Sequence, residues 1–144
     1  MQTILESSKS ERKKLIKNIE KHLRNYSNYK IASANLHKQL EFISDNKQLK
    51  QIPAGHVTLH IPDNESLALL QSEFSQLQIV IETIDRSLTE LTDIEQKFIE
   101  TRYFNKWSIE KSAMHIGYSD KALFVIRNQV MDKLLLSLGS VALM

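Results

Sequence analysis

Apolar residues recur at helical spacing along most of this chain, and the residues that interrupt helices are scarce. Only three glycines and two prolines occur among 144 residues. In the first third, apolar residues repeat every three or four positions, which places them on one stripe of a helix. A first helix is predicted from about Ile4 to about Tyr29 and a second from about Ile31 to Ile43. No glycine or proline separates them, so one long, bent helix is the alternative.

Residues 44–62 are predicted to form a connector. Pro53 and Pro62 bracket a stretch in which apolar residues alternate, which is typical of a short extended segment. His56 and His60 would lie on one face of that segment. Two histidines without a third ligand are weak evidence for zinc, so no metal site is predicted.

The stretch after Pro62 has an unbroken heptad pattern. Asp63 or Asn64 is placed to cap a helix, and its apolar residues then follow at alternating steps of three and four. So narrow a seam needs a parallel neighbour, which is either a second copy of the chain or the N-terminal helix folding back. The pattern favours a homodimer or a higher homo-oligomer. The predicted oligomerisation residues are Leu67, Leu70, Phe74, Leu77, Ile81, Ile84 and Leu88.

Three further helices are predicted near the C-terminus, separated by two tight breaks. Thr92 and Glu95 have the spacing of a capping box that opens the first of them. Ser108 caps the second helix, Gly117 ends it in a left-handed conformation, and Ser119 caps the third. A helix that ends at glycine and restarts two residues later is typical of a helix-turn-helix.

In the third helix, a rotation of about 100° per residue buries Leu123 and Val130 and turns a different face outward. That face enters the major groove in a helix-turn-helix. Lysine suits guanine or a phosphate, asparagine suits adenine, and an apolar group suits the thymine methyl. The predicted DNA-binding residues are Lys106, Lys111, Ser119, Lys121, Phe124, Val125, Arg127 and Asn128, of which Lys106, Lys111 and Arg127 are expected at phosphates.

The predicted fold is therefore all-α: long N-terminal and central helices with a coiled-coil-like seam, followed by a three-helix helix-turn-helix. Residues 1–62 form the N-terminal helical region and connector. Residues 63–91 form the central heptad helix, and residues 92–144 form the DNA-binding domain.

Charge is unevenly distributed although the formal net charge is only +2. Residues 1–51 contain eleven Lys or Arg against five Asp or Glu, whereas residues 52–91 are acidic. A basic first third suits a polyanionic partner. A solvated helix face that pairs with the acidic middle is the equal alternative.

Several classes of protein are disfavoured by what the sequence lacks. Cysteine is absent, which fits a reducing cytoplasm, and no signal peptide is visible. No apolar run approaches the roughly 20 residues of a membrane span. No glycine-rich phosphate loop or His-Glu-x-x-His motif occurs. The chain is therefore predicted to be neither an enzyme nor a membrane protein, and to need no cofactor.

The C-terminal motif resembles region 4 of the sigma-70 family, and more closely the phage late-gene transcription regulators of the ArpU and RinA type. The matching positions include Glu95, Phe98-Ile99, Arg102-Tyr103-Phe104, Ser108-Ile109-Glu110, Ala113, Ile116-Gly117-Tyr118-Ser119, Ile126 and Lys133-Leu134. The resemblance implies a regulator that binds double-stranded DNA and activates phage or prophage late genes. It would act in the cytoplasm of a bacterial host, at the nucleoid, with host RNA polymerase as a further candidate partner.

The chain departs from that family in the second and third helices. Ser112 stands where a branched apolar residue is usual. Ala122, Phe124 and Val125 replace several basic residues of the reading face. Phe124 is suited either to DNA or to packing against a neighbouring subunit. Two other functions stay open: a small terminase subunit that packages DNA, and a sigma-like adaptor that grips polymerase without reading DNA.

Overall fold

Every regular element in the described part of the chain is a helix, which confirms the predicted all-α class. The computed structural model describes residues 9–45 and 63–143. The predicted extended segment and its two histidines lie outside these ranges. In chain order the helices are α1 (Lys9–Arg24), α2 (Tyr26–Asp45), α3 (Asn64–Thr89), α4 (Asp93–Ile99) with a π-helical segment (Glu100–Phe104), α5 (Ile109–Ile116), α6 (Asp120–Ser137) and α7 (Gly139–Ala142).

The first helix ends earlier than predicted. α1 stops at Arg24 and α2 starts at Tyr26, so the expected boundary near Tyr29 was wrong. Asn25 occupies the break, and both its backbone N–H and its side-chain amide donate to the carbonyl of Lys21, at 3.1 and 2.9 Å. An asparagine side chain that bonds the nearby backbone competes with regular helix, and it interrupts the chain here without glycine or proline.

α3 begins as the sequence predicts. The backbone N–H of Ser66 donates to Oδ1 of Asp63 at 2.8 Å, so Asp63 satisfies one of the amides that a helix start leaves without a partner. The helix then continues without interruption to Thr89.

The chain divides into two compact units. One unit combines the described residues up to 27 with those from 80 onward, and the other consists of the described residues between 28 and 79. This grouping runs across the boundaries at 62 and 91 that were expected from the sequence. α5 and α6 therefore share a unit with α1, from which they are distant in sequence.

The first unit has a continuous core to which α1 contributes. Ile19 and Leu23 of α1 are fully buried, as are Phe98 of α4, Leu123 of α6 and Tyr103 of the π segment. Complete burial of one such side chain stabilises the fold by roughly 1.5–3 kcal/mol. α1 is therefore part of the core against which α4 and α6 pack.

The second unit is held by contacts between α2 and the first part of α3. Leu36 is buried, and the amide of Gln78 donates to the hydroxyl of Ser33 at 2.9 Å. The ring of His37 stacks on Phe74 with centroids 5.7 Å apart. Phe74, a residue of the predicted heptad seam, thus has an aromatic neighbour within its own chain.

The heptad seam is partly occupied inside one chain. Ile84 is fully buried and Ile81 is 9% exposed, so the prediction that these two contact a second copy needs correction. Their apolar surface is already covered, because this part of α3 belongs to the core of the first unit. The other predicted seam residues stay half-exposed and are Leu67, Leu70, Phe74, Leu77 and Leu88. An oligomer that uses the N-terminal part of the seam stays a prediction.

Candidate nucleic-acid interface

The turn between α5 and α6 is built by the three residues that the sequence indicates. The hydroxyl of Ser108 accepts from the backbone N–H of Lys111 at 3.1 Å, and that of Ser119 accepts from Ala122 at 3.1 Å. Gly117 ends α5 with φ 90° and ψ 27°. A Cβ at Gly117 would meet nothing within 4 Å, so the left-handed backbone, and not crowding, requires glycine there. The two serine caps and the left-handed glycine thus lie at the positions that the sequence indicates.

α5 packs closely against the rest of the unit. Ala113 is 2% exposed and Ser112 is fully buried, and the carbonyl of Ala113 accepts from the backbone N–H groups of Gly117 and Tyr118 at 2.8 and 3.0 Å. The small side chains of Ser112 and Ala113 let α5 approach the helices packed against it. The two hydrogen bonds to the carbonyl of Ala113 set the angle at which α6 leaves the turn. The orientation of α6 is therefore set by local backbone geometry.

The first three turns of α6 present a continuous outward stripe. Lys121, Val125 and Asn128 follow one another at steps of four and three residues, and all three are exposed. Phe124 borders the stripe with 52% of its surface exposed, which is high for a large apolar side chain. Leu123, Val130 and Leu134 are fully buried on the opposite side. The structure thus places four predicted base-contacting residues together on one accessible face.

Arg127 was predicted to flank the outward face and to contact a phosphate. It follows Leu123 by four residues and so lies on the inward side of α6. One of its terminal nitrogens donates to Oε1 of Glu20 on α1 at 3.1 Å, and its side chain is 28% exposed. Arg127 is therefore committed to an ion pair between helices, although it stays accessible at its edge.

Glu20 receives a second hydrogen bond from within the core. The hydroxyl of Tyr103 donates to Oε2 of Glu20 at 2.7 Å. Burial, together with this bond to a carboxylate, raises the pKa of Tyr103 well above its ordinary value. One carboxylate of α1 thus joins the π segment to α6. This contact was not predictable from local sequence patterns, because the partners lie 83 and 107 residues apart.

A second polar contact joins α1 to the outward stripe. Arg12 of α1 donates to Asp132 of α6, which follows Asn128 by four residues and so extends the same stripe. Asn18 also donates to the carbonyl of Ala142 in α7 at 3.0 Å. α1 therefore runs alongside α6 and reaches the edge of the predicted reading face.

The two remaining predicted lysines lie on the other side of the turn. Lys111 is exposed, with its ammonium 4.4 Å from the ring centroid of Trp107, a cation–π distance. Trp107 also meets the ring of His115 edge-on at 5.2 Å. Lys106 is exposed in a left-handed conformation with φ 59°. This backbone conformation is unfavourable for lysine, and it turns the chain from the π segment toward α5.

The π segment ends in a loop that is held by hydrogen bonds. The backbone N–H of Asn105 donates to the carbonyl of Glu100 at 2.8 Å, and that of Trp107 donates to Thr101 at 3.0 Å. The guanidinium of Arg102 donates to the carbonyl of Trp107 at 3.0 Å. Residues 105–107, which carry the predicted phosphate contact Lys106, are therefore in a defined conformation.

An aromatic contact anchors the start of α2 within the same unit. The ring of Tyr26 stacks on Phe104 with centroids 4.9 Å apart, and its hydroxyl donates to Asp85 of α3. Burial and the bond to this carboxylate raise the pKa of Tyr26 to about 12. Tyr26 thus links the start of α2 to the π segment and to α3.

Comparisons with known proteins identified no relative of this chain. No protein-family model matches the chain, and searches of curated proteins and of solved structures found no significant match. Among the described residues, no helix has the length and apolar character needed to cross a membrane. In the same ranges, no group of three or more His, Asp or Glu side chains is arranged to hold a metal ion. The site therefore has to be interpreted from its own geometry.

Proposed function

We propose that the chain binds double-stranded DNA sequence-specifically and uses α6 as its reading helix. The observation that carries this proposal is the exposed stripe of Lys121, Val125 and Asn128 behind a rigid glycine turn. An α-helix fits the major groove, and these side-chain types match acceptors of guanine, the thymine methyl and the adenine edge. The exposed, half-apolar character of the stripe suits contact with base edges better than contact with solvent.

The more specific proposal is a transcriptional regulator that activates late genes of a phage or prophage. It rests on the resemblance to the ArpU and RinA type and to sigma region 4, which the caps and the glycine turn support. A homo-oligomer with two or more reading helices would raise the affinity for repeated half-sites. Genome-wide binding in a bacterial host tests this assignment. Occupancy of promoters is expected, whereas occupancy of a DNA-packaging site alone would indicate a terminase subunit.

The reading helix is tested by a double substitution, Lys121→Ala with Asn128→Ala. Loss of each base contact is expected to weaken binding to the preferred duplex by on the order of 1–3 kcal/mol. The measurement is fluorescence anisotropy with a duplex that the wild-type chain enriches from a randomised pool.

A matched control is available in α2. Asn35 and Lys38 are exposed there, and their double substitution to Ala removes the same two side-chain types. The control variant is expected to bind like wild type. If the Lys121 and Asn128 variant also binds like wild type and selects the same sequence, α6 is not the reading helix.

One observation favours a second function, a sigma-like adaptor that grips RNA polymerase. Exposed apolar side chains surround the turn: Met114 is 85% exposed, Phe124 52% and Tyr118 43%. Such a cluster is also typical of a protein-binding surface. Salt dependence separates the two functions, because binding that relies on phosphate contacts weakens steeply as salt rises.

A further inference from the structure

One face of α1 is almost entirely basic. At about 100° per residue, six cations fall within about 140° of the helix circumference. The residues buried on the opposite side include Leu15, Ile19 and Leu23. The helix therefore separates a core face from a charged face. The six cations are Lys9, Lys13, Lys14, Lys17, Lys21 and Arg24.

The charge on the middle of this face is not neutralised by the described residues. Glu20 is the acidic residue within the basic face, and its two carboxylate oxygens are taken by Tyr103 and Arg127. No carboxylate of a described residue lies within ion-pair distance of Lys13, Lys14 or Lys17. Their ammonium groups are thus available for an anion.

These lysines line a groove between α1 and α6, which we call the α1–α6 groove. This open groove has a volume of about 590 Å³, and it is lined by Ser10, Lys13, Lys14, Ile16, Lys17 and Glu20 of α1 and by Arg127 of α6. Glu20 engages one terminal nitrogen of Arg127 and so holds the guanidinium at the groove. Other N–H donors of a guanidinium lie at different angles and can serve a second acceptor.

The groove is on the flank of the predicted reading face. Arg127, which lines the groove, directly precedes Asn128 of the stripe and lies about 100° from it around α6. A duplex whose major groove receives α6 would therefore bring a strand next to the basic face of α1. Lysines four residues apart, such as Lys13 and Lys17, are separated by about 6 Å along the axis of α1.

We propose that the α1–α6 groove binds the phosphodiester backbone of the duplex that α6 reads. This inference rests on the proposed function and adds a second contact, which carries affinity without sequence information. Several lysine point charges beside an arginine fork suit a row of phosphates better than a single carboxylate ligand. The half-apolar stripe of α6 then specifies the sequence, while α1 supplies most of the electrostatic attraction.

The test is a triple substitution to glutamine at Lys13, Lys14 and Lys17, measured on the wild-type-enriched duplex over a range of salt concentrations. The slope of log K against log salt is negative, and each lost phosphate contact is expected to reduce its magnitude by about 0.9. Three lost contacts should therefore reduce the magnitude by about 2.7. The preferred sequence should not change. A triple substitution to arginine should restore the wild-type slope.

A control variant carries glutamine at three exposed lysines elsewhere, Lys30, Lys38 and Lys97. It removes the same charge, so its slope should equal that of wild type if the position of the charge matters. A wild-type chain that shows no sequence preference for any duplex would overturn the proposed function. If the wild type is selective but its glutamine triple variant has the same slope as the control, only the proposal that the α1–α6 groove binds the DNA backbone is overturned.

Discussion

The ammonium of Lys133 lies 2.6 Å from Oε1 of Glu95, whose side chain is only 5% exposed. The same carboxylate oxygen accepts the backbone N–H of Thr92 at 2.9 Å and so completes the capping box of α4. The start of α4 and the second-last turn of α6 are thereby joined through one side chain. The charge on this carboxylate therefore helps to hold α6 against α4.

This arrangement predicts a pH-dependent contribution to stability. Burial by itself would raise the pKa of Glu95, but the hydrogen bonds from Lys133 and Thr92 outweigh it and lower the pKa below the ordinary value of 4.5. A lowered pKa means that the folded state binds protons less readily than the unfolded state. The stabilisation is therefore complete above about pH 4.5 and is lost as the pH falls through the lower folded-state pKa.

Glu95→Gln is expected to lower the free energy of unfolding at neutral pH by on the order of 1–2 kcal/mol, since it removes a charged hydrogen-bond acceptor. The difference from wild type should shrink in acid. Denaturant unfolding at several pH values measures it. Glu90→Gln, at an exposed position, serves as the control and should leave stability nearly unchanged. A difference that is constant across the acid range would contradict the role given to the Glu95 charge.

Ser112 offers a prediction of the opposite sign. Its side chain is fully buried in α5, and its hydroxyl has no hydrogen-bond partner among the described residues. A buried hydroxyl without a partner costs roughly 1–3 kcal/mol, and alanine also has the higher helix propensity. Ser112→Ala should therefore raise the free energy of unfolding by about 1 kcal/mol in thermal or denaturant unfolding.

Ser108→Ala is the matched comparison, because that hydroxyl caps α5 and accepts from Lys111. Its loss should destabilise the protein by about 1 kcal/mol. Replacing Ser108 or Ser112, four residues apart at the start of α5, is thus expected to change the free energy of unfolding in opposite directions. A loss of stability in Ser112→Ala would mean that the buried hydroxyl does bond a partner.

The oligomer prediction now concerns the N-terminal part of α3. Leu67→Glu with Leu70→Glu places charge on the half-exposed part of the seam, and light scattering is expected to show monomers where wild type is oligomeric. Leu69→Glu is the control, because Leu69 is 67% exposed and lies off the seam. A folded double variant with the mass of wild type would show that this seam joins no second copy.

Local signals in the sequence were sufficient to place the turn and its flanking helices. The caps at Thr92, Ser108 and Ser119 depend on side chains that bond amides only three residues ahead, so residue type and spacing define them. Gly117 is equally local, since only its own backbone conformation matters. The outward position of Lys121 follows from helical rotation alone.

The contacts that complete the unit were not predictable in this way. Glu20 meets Tyr103 and Arg127 because two helices far apart in sequence happen to pack together, and helical periodicity contains no information on which stripes meet. The break at Asn25 was missed because asparagine is compatible with both a helix and a turn. The π segment was missed because its hydrogen-bonding pattern leaves the apolar spacing around Tyr103 nearly unchanged.

The docking of α1 onto the last two helices has a consequence for synthesis in the cell. The side-chain amide of Asn18 donates to the carbonyl of Ala142 across 124 positions, so α1 can form this contact only after residue 142 has been synthesised. Long-range closure of this kind slows folding. A nascent chain would therefore lack the α1–α6 groove until α6 has been synthesised.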